Sequence, residues 1–367
     1  MNVGEQPGKS VLMLLPSLRI SGGVKEAIRL AEDLKNQAVA IQIVAMWRSK
    51  HELPCANIPV IYLSNLVARR SVAALQYPFL LLRFIVLLRR LYSSSERKKM
   101  VLLLTHFSTF ALGWTSPRLN RYCFNQDVEW MFVKEGWRRS WLRAFILATS
   151  RRSRVITTNE FVENLYAQEG IRAVGCLSIW APMAWLTTGP ASPRDIEVVM
   201  LLRRGSMKRL DLYFELLLQS NLASLVITPD TEIFAKLADH GIKSVLRPSD
   251  AEIRAIYQRS KVFLLLSDTE GFGLPPLEAM GSGCVPLCRD SGGPRCYMVG
   301  PLASNLLPLQ ASTAEIFAKL RSLLSDPERL SALSEYAKRS FSAGFEVSLM
   351  RRNNCIITLS RTFRDEN

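Results

Sequence analysis

The stretch at residues 261–290, KVFLLLSDTEGFGLPPLEAMGSGCVPLCRD, is the feature that most constrains the fold of this chain. Its two ends carry short, almost wholly apolar runs, which are typical of strands covered on both faces of a parallel sheet. Between them, Pro275 and Pro276 predict the start of a helix, and Gly281 predicts its end. The loop at 270–273 is therefore expected at the carboxyl end of a strand and the amino end of a helix. Main-chain N–H groups at such a place bind phosphate.

Two carboxylates bracket this loop: Glu270 precedes it, and Glu278 lies in the first turn of the predicted helix. A carboxylate is a poor ligand for phosphate but accepts hydrogen bonds from sugar hydroxyls, so this arrangement indicates a sugar next to a phosphate. An alternative stays open, in which Glu278 only complements the helix dipole and Glu270 is a solvated loop residue.

The complete string EGFGLPPLEAM resembles the Glu-x7-Glu signature of retaining glycosyltransferases of the GT-B fold, in the large fourth family known as glycosyl transferases group 1. The resemblance implies that Glu270 contacts hydroxyls of the donor sugar and that Glu278 holds the ribose. It also implies that the amides of the intervening loop bind the sugar and the diphosphate. These loop residues are Gly271, Phe272, Gly273 and Leu274.

The length of 367 residues suits two domains better than one core. Strand and helix patterns alternate along the chain, as in a doubly wound sheet, and a linker rich in Pro, Gly and Thr occupies 185–195. With the resemblance, this predicts an α/β protein of the GT-B fold, in which two Rossmann-like domains face a central cleft. The predicted boundaries are 1–184 for the acceptor-side domain, 196–345 for the nucleotide-sugar-binding domain, and 346–367 for a C-terminal helix that crosses back to the first domain.

The first half of the chain offers two further candidate sites. Gly22 and Gly23 open a helix after the first strand, where they would let a ligand approach the backbone closely. His106 ends a buried strand at the carboxyl edge of the sheet, where open α/β folds bind their ligands. In the resembled family a histidine after this strand reaches the donor sugar or the acceptor, so His106 is a candidate catalytic residue. A plain glycine turn and a satisfied structural histidine are the alternatives.

A basic loop follows the first strand of the second half. Its Arg203 and Lys208 have the Arg-x4-Lys spacing that the resembled family uses on the donor diphosphate. An Arg fork and a Lys point charge stabilise the negative charge that develops on a leaving diphosphate, although a solvated basic turn is the alternative. A metal-dependent enzyme would present carboxylates to hold Mg²⁺ or Mn²⁺, and the sequence contains no Asp-x-Asp. We therefore expect neither a metal nor any cofactor besides the donor.

The charge balance favours anionic partners, because 47 Lys and Arg residues against 32 Asp and Glu give a net charge of +15. The apolar segment 72–99 is interrupted by Pro78 and Arg83, so it is too short for the roughly 20 residues of a membrane span. It predicts an amphipathic basic helix that lies on an anionic bilayer, or equally an ordinary packing helix with a solvated basic end. Irregularly placed cysteines without a signal peptide predict a cytoplasmic protein, which such a helix would hold at the inner face of the membrane.

These features predict a retaining glycosyltransferase that moves a sugar from a nucleotide diphosphate sugar to a hydroxyl of a glycan or lipid-linked glycan, as in polysaccharide and cell-envelope biosynthesis. We assign no protein base or nucleophile. A sugar-nucleotide epimerase on the same fold is one alternative, and a non-catalytic basic protein that binds membranes or nucleic acid is another. No series of stacking aromatic residues accompanies the basic ones, so we expect no nucleic-acid partner.

Overall fold

The computed structural model describes residues 10–19, 21–55, 58–67, 70–93, 97, 100–116, 119–188, 193–219 and 221–365. The chain divides into two compact units, the first comprising 1–130, 135–178 and 351–367, and the second 131–134 and 179–350. Each unit has its own parallel sheet and its own cluster of buried apolar side chains.

The first unit contains a sheet with the strand order β3-β2-β1-β4-β5-β6-β7, in which every neighbouring pair is parallel. Its strands are β1 (Ser10–Leu15), β2 (Ala40–Ala45), β3 (Val60–Tyr62), β4 (Val101–Leu104), β5 (Asn120–Asn125), β6 (Arg154–Thr157) and β7 (Ala173–Cys176). The winding reverses between β1 and β4, and the crevice at the carboxyl ends of such strands is where open α/β folds bind ligands.

The helices of the first unit are α1 (Gly22–Asn36), α2 (Arg70–Leu91), α3 (Phe107–Trp114), α4 (Trp137–Ser150) and α5 (Glu160–Gln168). Helix α1 begins after Ser21, whose Oγ accepts a hydrogen bond from the N–H of Val24. Its buried residues recur at intervals of three and four, as expected of a helix with one face on a sheet.

The second unit repeats the arrangement with the strand order β10-β9-β8-β11-β12-β13, again parallel throughout. Its strands are β8 (Ile196–Leu201), β9 (Ser224–Thr228), β10 (Ser244–Leu246), β11 (Ser260–Leu265), β12 (Val285–Arg289) and β13 (Leu306–Leu307). Its helices are α6 (Leu210–Gln219), α7 (Thr231–Asp239), α8 (Asp250–Arg259), α9 (Leu274–Gly281), α10 (Thr313–Leu324) and the start of α11 (Pro327–Asp365). The winding reverses between β8 and β11.

The two units divide the chain at residues that differ from the predicted boundaries at 184 and 345. Ile179 already belongs to the second unit, because Trp180 and Trp185 pack into its core. Part of the linker drawn at 185–195 thus has a packing role, and its residues 189–192 lie outside those described. Helix α11 leaves the second unit after Met350, and its last turns belong to the first. There the buried Arg352 donates to Asp33 and Glu26, both on α1.

The apolar segment around 72–99 forms α2 up to Leu91, while 94–96 and 98–99 lie outside the described residues. Leu80, Phe84 and Leu88 are buried, so one side of the helix packs into the first unit, whereas Phe79 and Leu82 are exposed. Phe84 and Leu88 therefore pack in the protein interior and are not available to contact a bilayer. Of the described helices, none combines the length and the apolar character that a membrane span requires.

Candidate active site

Two loops lie side by side at the point where the winding of the second sheet reverses. One follows β8 and the other follows β11, and the N–H of Asp268 joins them by donating to the carbonyl of Met207 at 2.8 Å. Lys208 Nζ donates to Glu270 Oε1 at 2.7 Å, and the two side chains are only 28% and 15% exposed. The structure thus brings together two of the predicted site residues, one cationic and one anionic, where a ligand of an open α/β domain is expected.

No side chain caps the amino end of α9. Gly273 is its N-cap residue, with a φ of 79° and no side chain to accept a hydrogen bond from the first turn. The neighbouring helices α7, α8 and α10 are all capped by side chains, those of Asp230, Ser249 and Ser312. Pro275 and Pro276 have no N–H, so the uncapped end of α9 presents the N–H of Leu274 and the positive end of its dipole to an anion.

The backbone of the 270–273 loop is held from behind by a glycine turn. Glu270 donates its N–H to the carbonyl of Ser291 at 2.9 Å, and its own carbonyl accepts from the N–H of Gly293 at 3.0 Å. Tyr297 Oη donates to the carbonyl of Gly273 at 2.7 Å, and its ring packs edge-on against Phe272. These contacts fix the positions of the loop amides before any ligand is present.

Arg203 and Glu278 have opposite effects on the pKa of the buried Tyr257 hydroxyl. Burial raises the pKa of Tyr257 well above its ordinary value; the Glu278 carboxylate raises it further, whereas the Arg203 guanidinium lowers it. Arg203 is exposed, while the adjacent Arg204 pairs with Asp230 and Glu232 on the side of α7. Of these two arginines, Arg203 is the one not engaged with α7.

A buried cation that the sequence patterns did not indicate supports both loops. Arg289, at the end of β12, is almost fully buried, and its Nη1 donates to the carbonyl of Leu266 at 3.2 Å and to Asp268 Oδ1 at 2.6 Å. Asp268 also accepts from Arg209, beside Lys208, at 3.3 Å. Since Asp268 also holds Met207 through its N–H, one guanidinium anchors the loops of Lys208 and Glu270. Its partner lies 21 residues away in sequence, so no short motif could reveal it.

We expect Arg289→Met to lower the free energy of unfolding by about 3 kcal/mol, because it leaves Asp268 and the Leu266 carbonyl without their buried donor. The matched control is Arg295→Met, since Arg295 forms an exposed pair with Asp290 that should contribute less than about 1 kcal/mol. Urea denaturation of the two variants measures the difference. Equal losses would show that Arg289 does not anchor the loops.

In the first unit, Gly22 and Gly23 are the first residues of α1, as predicted. A Cβ on Gly23 would lie 2.9 Å from Gln126 Oε1, so the glycine leaves room for that side chain; a Cβ on Gly22 would meet nothing within 4 Å. Gly22 thus borders open space at the carboxyl edge of the first sheet. This is compatible with either a ligand site or a plain turn.

His106 is the N-cap of α3. Its Nδ1 accepts from the N–H of Ser108 at 3.2 Å, which leaves the proton on Nε2, 3.8 Å from Glu129 Oε1. Burial lowers the pKa of His106 to about 4, and the cap also requires the neutral ring, although the side chain remains 39% exposed. Burial, reinforced by Asp127, raises the pKa of Glu129 to about 8. A neutral imidazole and a neutral carboxyl thus lie together at this edge.

The cap gives His106 its own pH-dependent contribution to stability. The folded state holds His106 neutral while the unfolded state protonates it, so this contribution should fall as the pH drops from about 6.5 towards about 4, whereas the raised pKa of Glu129 acts in the opposite direction. His106→Asn keeps a capping side chain without a titrating group and should lose less stability over that range. Urea denaturation at pH 7 and pH 5 compares the two proteins. An identical pH dependence would exclude this role of the ring.

No three His, Cys, Asp or Glu side chains among the described residues come together in a way that could hold a metal ion.

Comparison with known proteins bears on the second unit first. Residues 232–340 match the family model described as glycosyl transferases group 1. A stretch of 52 residues is 50% identical to a putative glycosyltransferase of a Sulfolobus islandicus filamentous virus. Another of 65 residues is 31% identical to a GDP-mannose:cellobiosyl-diphosphopolyprenol alpha-mannosyltransferase of Xanthomonas oryzae pv. oryzae. These alignments span 14% and 17% of this chain, and 16% and 17% of the length of the two relatives.

Solved structures match the whole chain. Sucrose-phosphate synthase from Thermosynechococcus elongatus superimposes with a TM-score of 0.76 at 13% identity, covering 96% of this chain and 99% of that one. HepE of Anabaena, solved in complex with UDP-glucose, gives a TM-score of 0.70 at 14% identity, with coverage of 96% and 99%. The predicted fold is thus confirmed: two Rossmann-like α/β domains of the GT-B type. The predicted resemblance is confirmed as well, since residues 232–340 match the family model described as glycosyl transferases group 1.

Proposed function

We propose that this protein is a retaining glycosyltransferase that transfers a sugar from a nucleotide diphosphate sugar to a hydroxyl of a glycan or lipid-linked glycan. The observation that carries the proposal is the Lys208–Glu270 pair beside the open amino end of α9, at the reversal point of the second sheet. An ammonium and main-chain amides suit the diphosphate, and the carboxylate suits the sugar hydroxyls. The match of residues 232–340 to a glycosyltransferase family supports the same reading.

In the proposed mechanism Glu278 holds the ribose, Glu270 orients the donor sugar, and the amides of Gly271 to Leu274 bind the sugar and the diphosphate. Lys208 has three N–H donors, so it can keep Glu270 in place while it binds a phosphate oxygen. Arg203 supplies the second cation. As the bond to the sugar breaks, the charge that grows on the diphosphate meets these fixed donors rather than a metal ion. The departing phosphate takes the proton of the acceptor, so no protein base is assigned.

His106, Gly22 and Gly23 belong to the first unit, and we propose that they act on the acceptor side or at the donor sugar. The name of the Xanthomonas relative specifies a lipid diphosphate acceptor. By analogy, we propose a lipid-linked acceptor and a location at the cytoplasmic face of a membrane for this chain. No cofactor besides the donor is part of the proposal.

The test has two stages. A thermal-shift screen over UDP-, GDP- and dTDP-sugars identifies the donor, since a ligand at 100 times its dissociation constant stabilises by about 2.7 kcal/mol. The protein is then incubated with that donor, with and without a lipid-linked glycan fraction, and the anomeric configuration of the product is read by NMR. Transfer with retention supports the proposal. Free nucleotide with an altered sugar in the absence of acceptor indicates the epimerase, and no response to any donor contradicts both.

A further inference from the structure

Helix α4 carries large aromatic side chains that point into solvent. Trp137 and Trp141 are 76% and 63% exposed, and their spacing of four residues puts them on the same side of the helix. One turn further, Phe145 stacks on Trp141 with an angle of 4° between the ring planes, and Trp114 at the end of α3 also stacks on Phe145, with an angle of 24°. We call these four residues the indole surface.

The indole surface is ordered without being part of the core. The buried side of α4 is formed by other residues, among them Leu142 and Ile146. Trp114 remains 43% exposed although its Nε1 donates to Thr149 Oγ1 at 2.9 Å, so the ring is held in a fixed place at the surface. Clustered exposed rings of this size are rare on monomeric soluble proteins unless the patch binds something.

Arginines lie directly beside the rings, so a series of stacked aromatic residues does accompany basic ones here, contrary to the expectation from the sequence. The Arg138 guanidinium is 5.4 Å from the ring centre of Trp137, and that of Arg152 is 5.1 Å from the ring centre of Trp114. Neither arginine forms an ion pair with any carboxylate that the structure describes. Two other arginines of α4 do, since Arg139 pairs with Glu135 and Arg143 with Glu169. Arg152 Nη1 also donates to the carbonyl of Ala148 at 3.2 Å, so Arg138 is the main candidate among these cations to bind an external anion.

We propose that the indole surface docks the first unit onto an anionic lipid bilayer. Tryptophan rings sit at the level of the lipid headgroups, and guanidinium groups bind headgroup phosphates. A glycan-binding platform would place carboxylates or amides beside the rings to accept hydrogen bonds from hydroxyls, whereas here the neighbours are guanidiniums. This proposal rests on the proposed function only for the reason why the protein would bind a bilayer, which is that a lipid-linked acceptor would lie there.

The location differs from the segment that the sequence indicated. On α2 the exposed Phe79 and Leu82 lie within one turn before Arg83. The Arg83 guanidinium, however, donates to the carbonyl of Leu63 at 2.6 Å and lies over the ring of Phe79. Helix α3 contacts both α2 and α4, so both helices belong to the same part of the first unit. We place the main attachment on α4 and give α2 an accessory role.

Sedimentation with vesicles tests the proposal. The wild type should bind vesicles that contain phosphatidylglycerol, bind neutral phosphatidylcholine vesicles far less, and be released by high salt. Trp137→Ser with Trp141→Ser should weaken binding to the anionic vesicles by about tenfold or more, because binding strength scales with the apolar area inserted. Arg138→Ala should weaken it by about fivefold. Leu218→Ser, an exposed apolar residue of the second unit, is the matched control and should change nothing.

The comparison with α2 decides the location. Phe79→Ser with Leu82→Ser should have a smaller effect than the double tryptophan variant, and the reverse order would overturn the proposal. Equal binding to neutral and anionic vesicles would overturn it too, as would an unchanged double variant. A second measurement distinguishes a bilayer from a glycan as the ligand of this surface, by comparing how the wild type and the double tryptophan variant bind soluble glycan fragments. If the variant loses glycan binding but still binds vesicles, the surface is a glycan site. The thermal shift with the donor should be the same in every variant, so failure of the proposed function would be seen separately.

Discussion

Lys208→Ala is expected to lower turnover by about a hundredfold. A preorganised donor aimed at the charge that develops in the transition state typically contributes about 3 kcal/mol, which corresponds to that factor in rate. The substitution also removes the partner that holds Glu270 Oε1 at 2.7 Å, so the sugar contact should loosen at the same time. Lys208 lies outside the buried strands, and its loss should therefore leave the fold intact. Initial rates of sugar transfer measure the change.

Arg204→Ala is the matched control for this variant, because Arg204 lies in the same loop but pairs with Asp230 and Glu232. It should transfer at close to the normal rate. Excess EDTA should also leave the wild-type rate unchanged, since protein cations are proposed to take the place of a metal. A Lys208→Ala enzyme of normal rate, or activity abolished by EDTA and restored by Mn²⁺, would show that the leaving-group chemistry is different.

Gly293→Ala is expected to weaken donor binding by about a hundredfold, through the backbone alone. A Cβ at this position would lie 2.5 Å from Phe272 Cα and 2.7 Å from the carbonyl carbon of Gly271. Neither atom belongs to a flexible side chain, so the donor loop itself must move. A displacement of about 1 Å in a binding group can lower catalysis by about a hundredfold. Calorimetric titration with the donor measures the loss, at a temperature where unfolding curves show the variant folded.

The control for this prediction is Gly241→Ala in the same unit. Gly241 has a φ of 67°, so alanine is strained there, but its Cβ would meet nothing within 4 Å. That variant should lose some stability and keep its affinity for the donor. If Gly293→Ala binds the donor as tightly as Gly241→Ala does, the loop amides do not contact it.

Local rules in the sequence were enough to predict the elements around the 270–273 loop, but not the extent of α11, which begins at Pro327 rather than at residue 346. Apolar runs, two prolines and a glycine predicted a strand, a loop and a helix, and the structure has β11 and then α9 in that order. These signals act within a few residues, so they can be seen without tertiary structure. The GT-B resemblance rests on the same string.

Other parts of the site depend on contacts between distant residues, and no local pattern could predict them. The sequence places Arg289 only at the end of a strand, and its anchoring role becomes visible only from its contact with Asp268. The capping role of His106 depends on the direction of its ring relative to Ser108, which residue type alone does not fix. The exposed side of α4 could not be told from its buried side, because Trp137, Trp141, Leu142 and Ile146 are all apolar. Packing in the first unit separates them.

The most direct test of the account is calorimetric titration of the free nucleoside diphosphate and of the complete donor on the Glu278→Ala and Glu270→Ala variants. If Glu278 holds the ribose, its loss should weaken both ligands alike, by about tenfold or more, as expected for hydrogen bonds to a charged group. If Glu270 contacts the sugar, its loss should weaken the complete donor and leave the nucleoside diphosphate almost unaffected. Equal losses for both ligands in Glu270→Ala, or normal binding in Glu278→Ala, would contradict the proposed donor site.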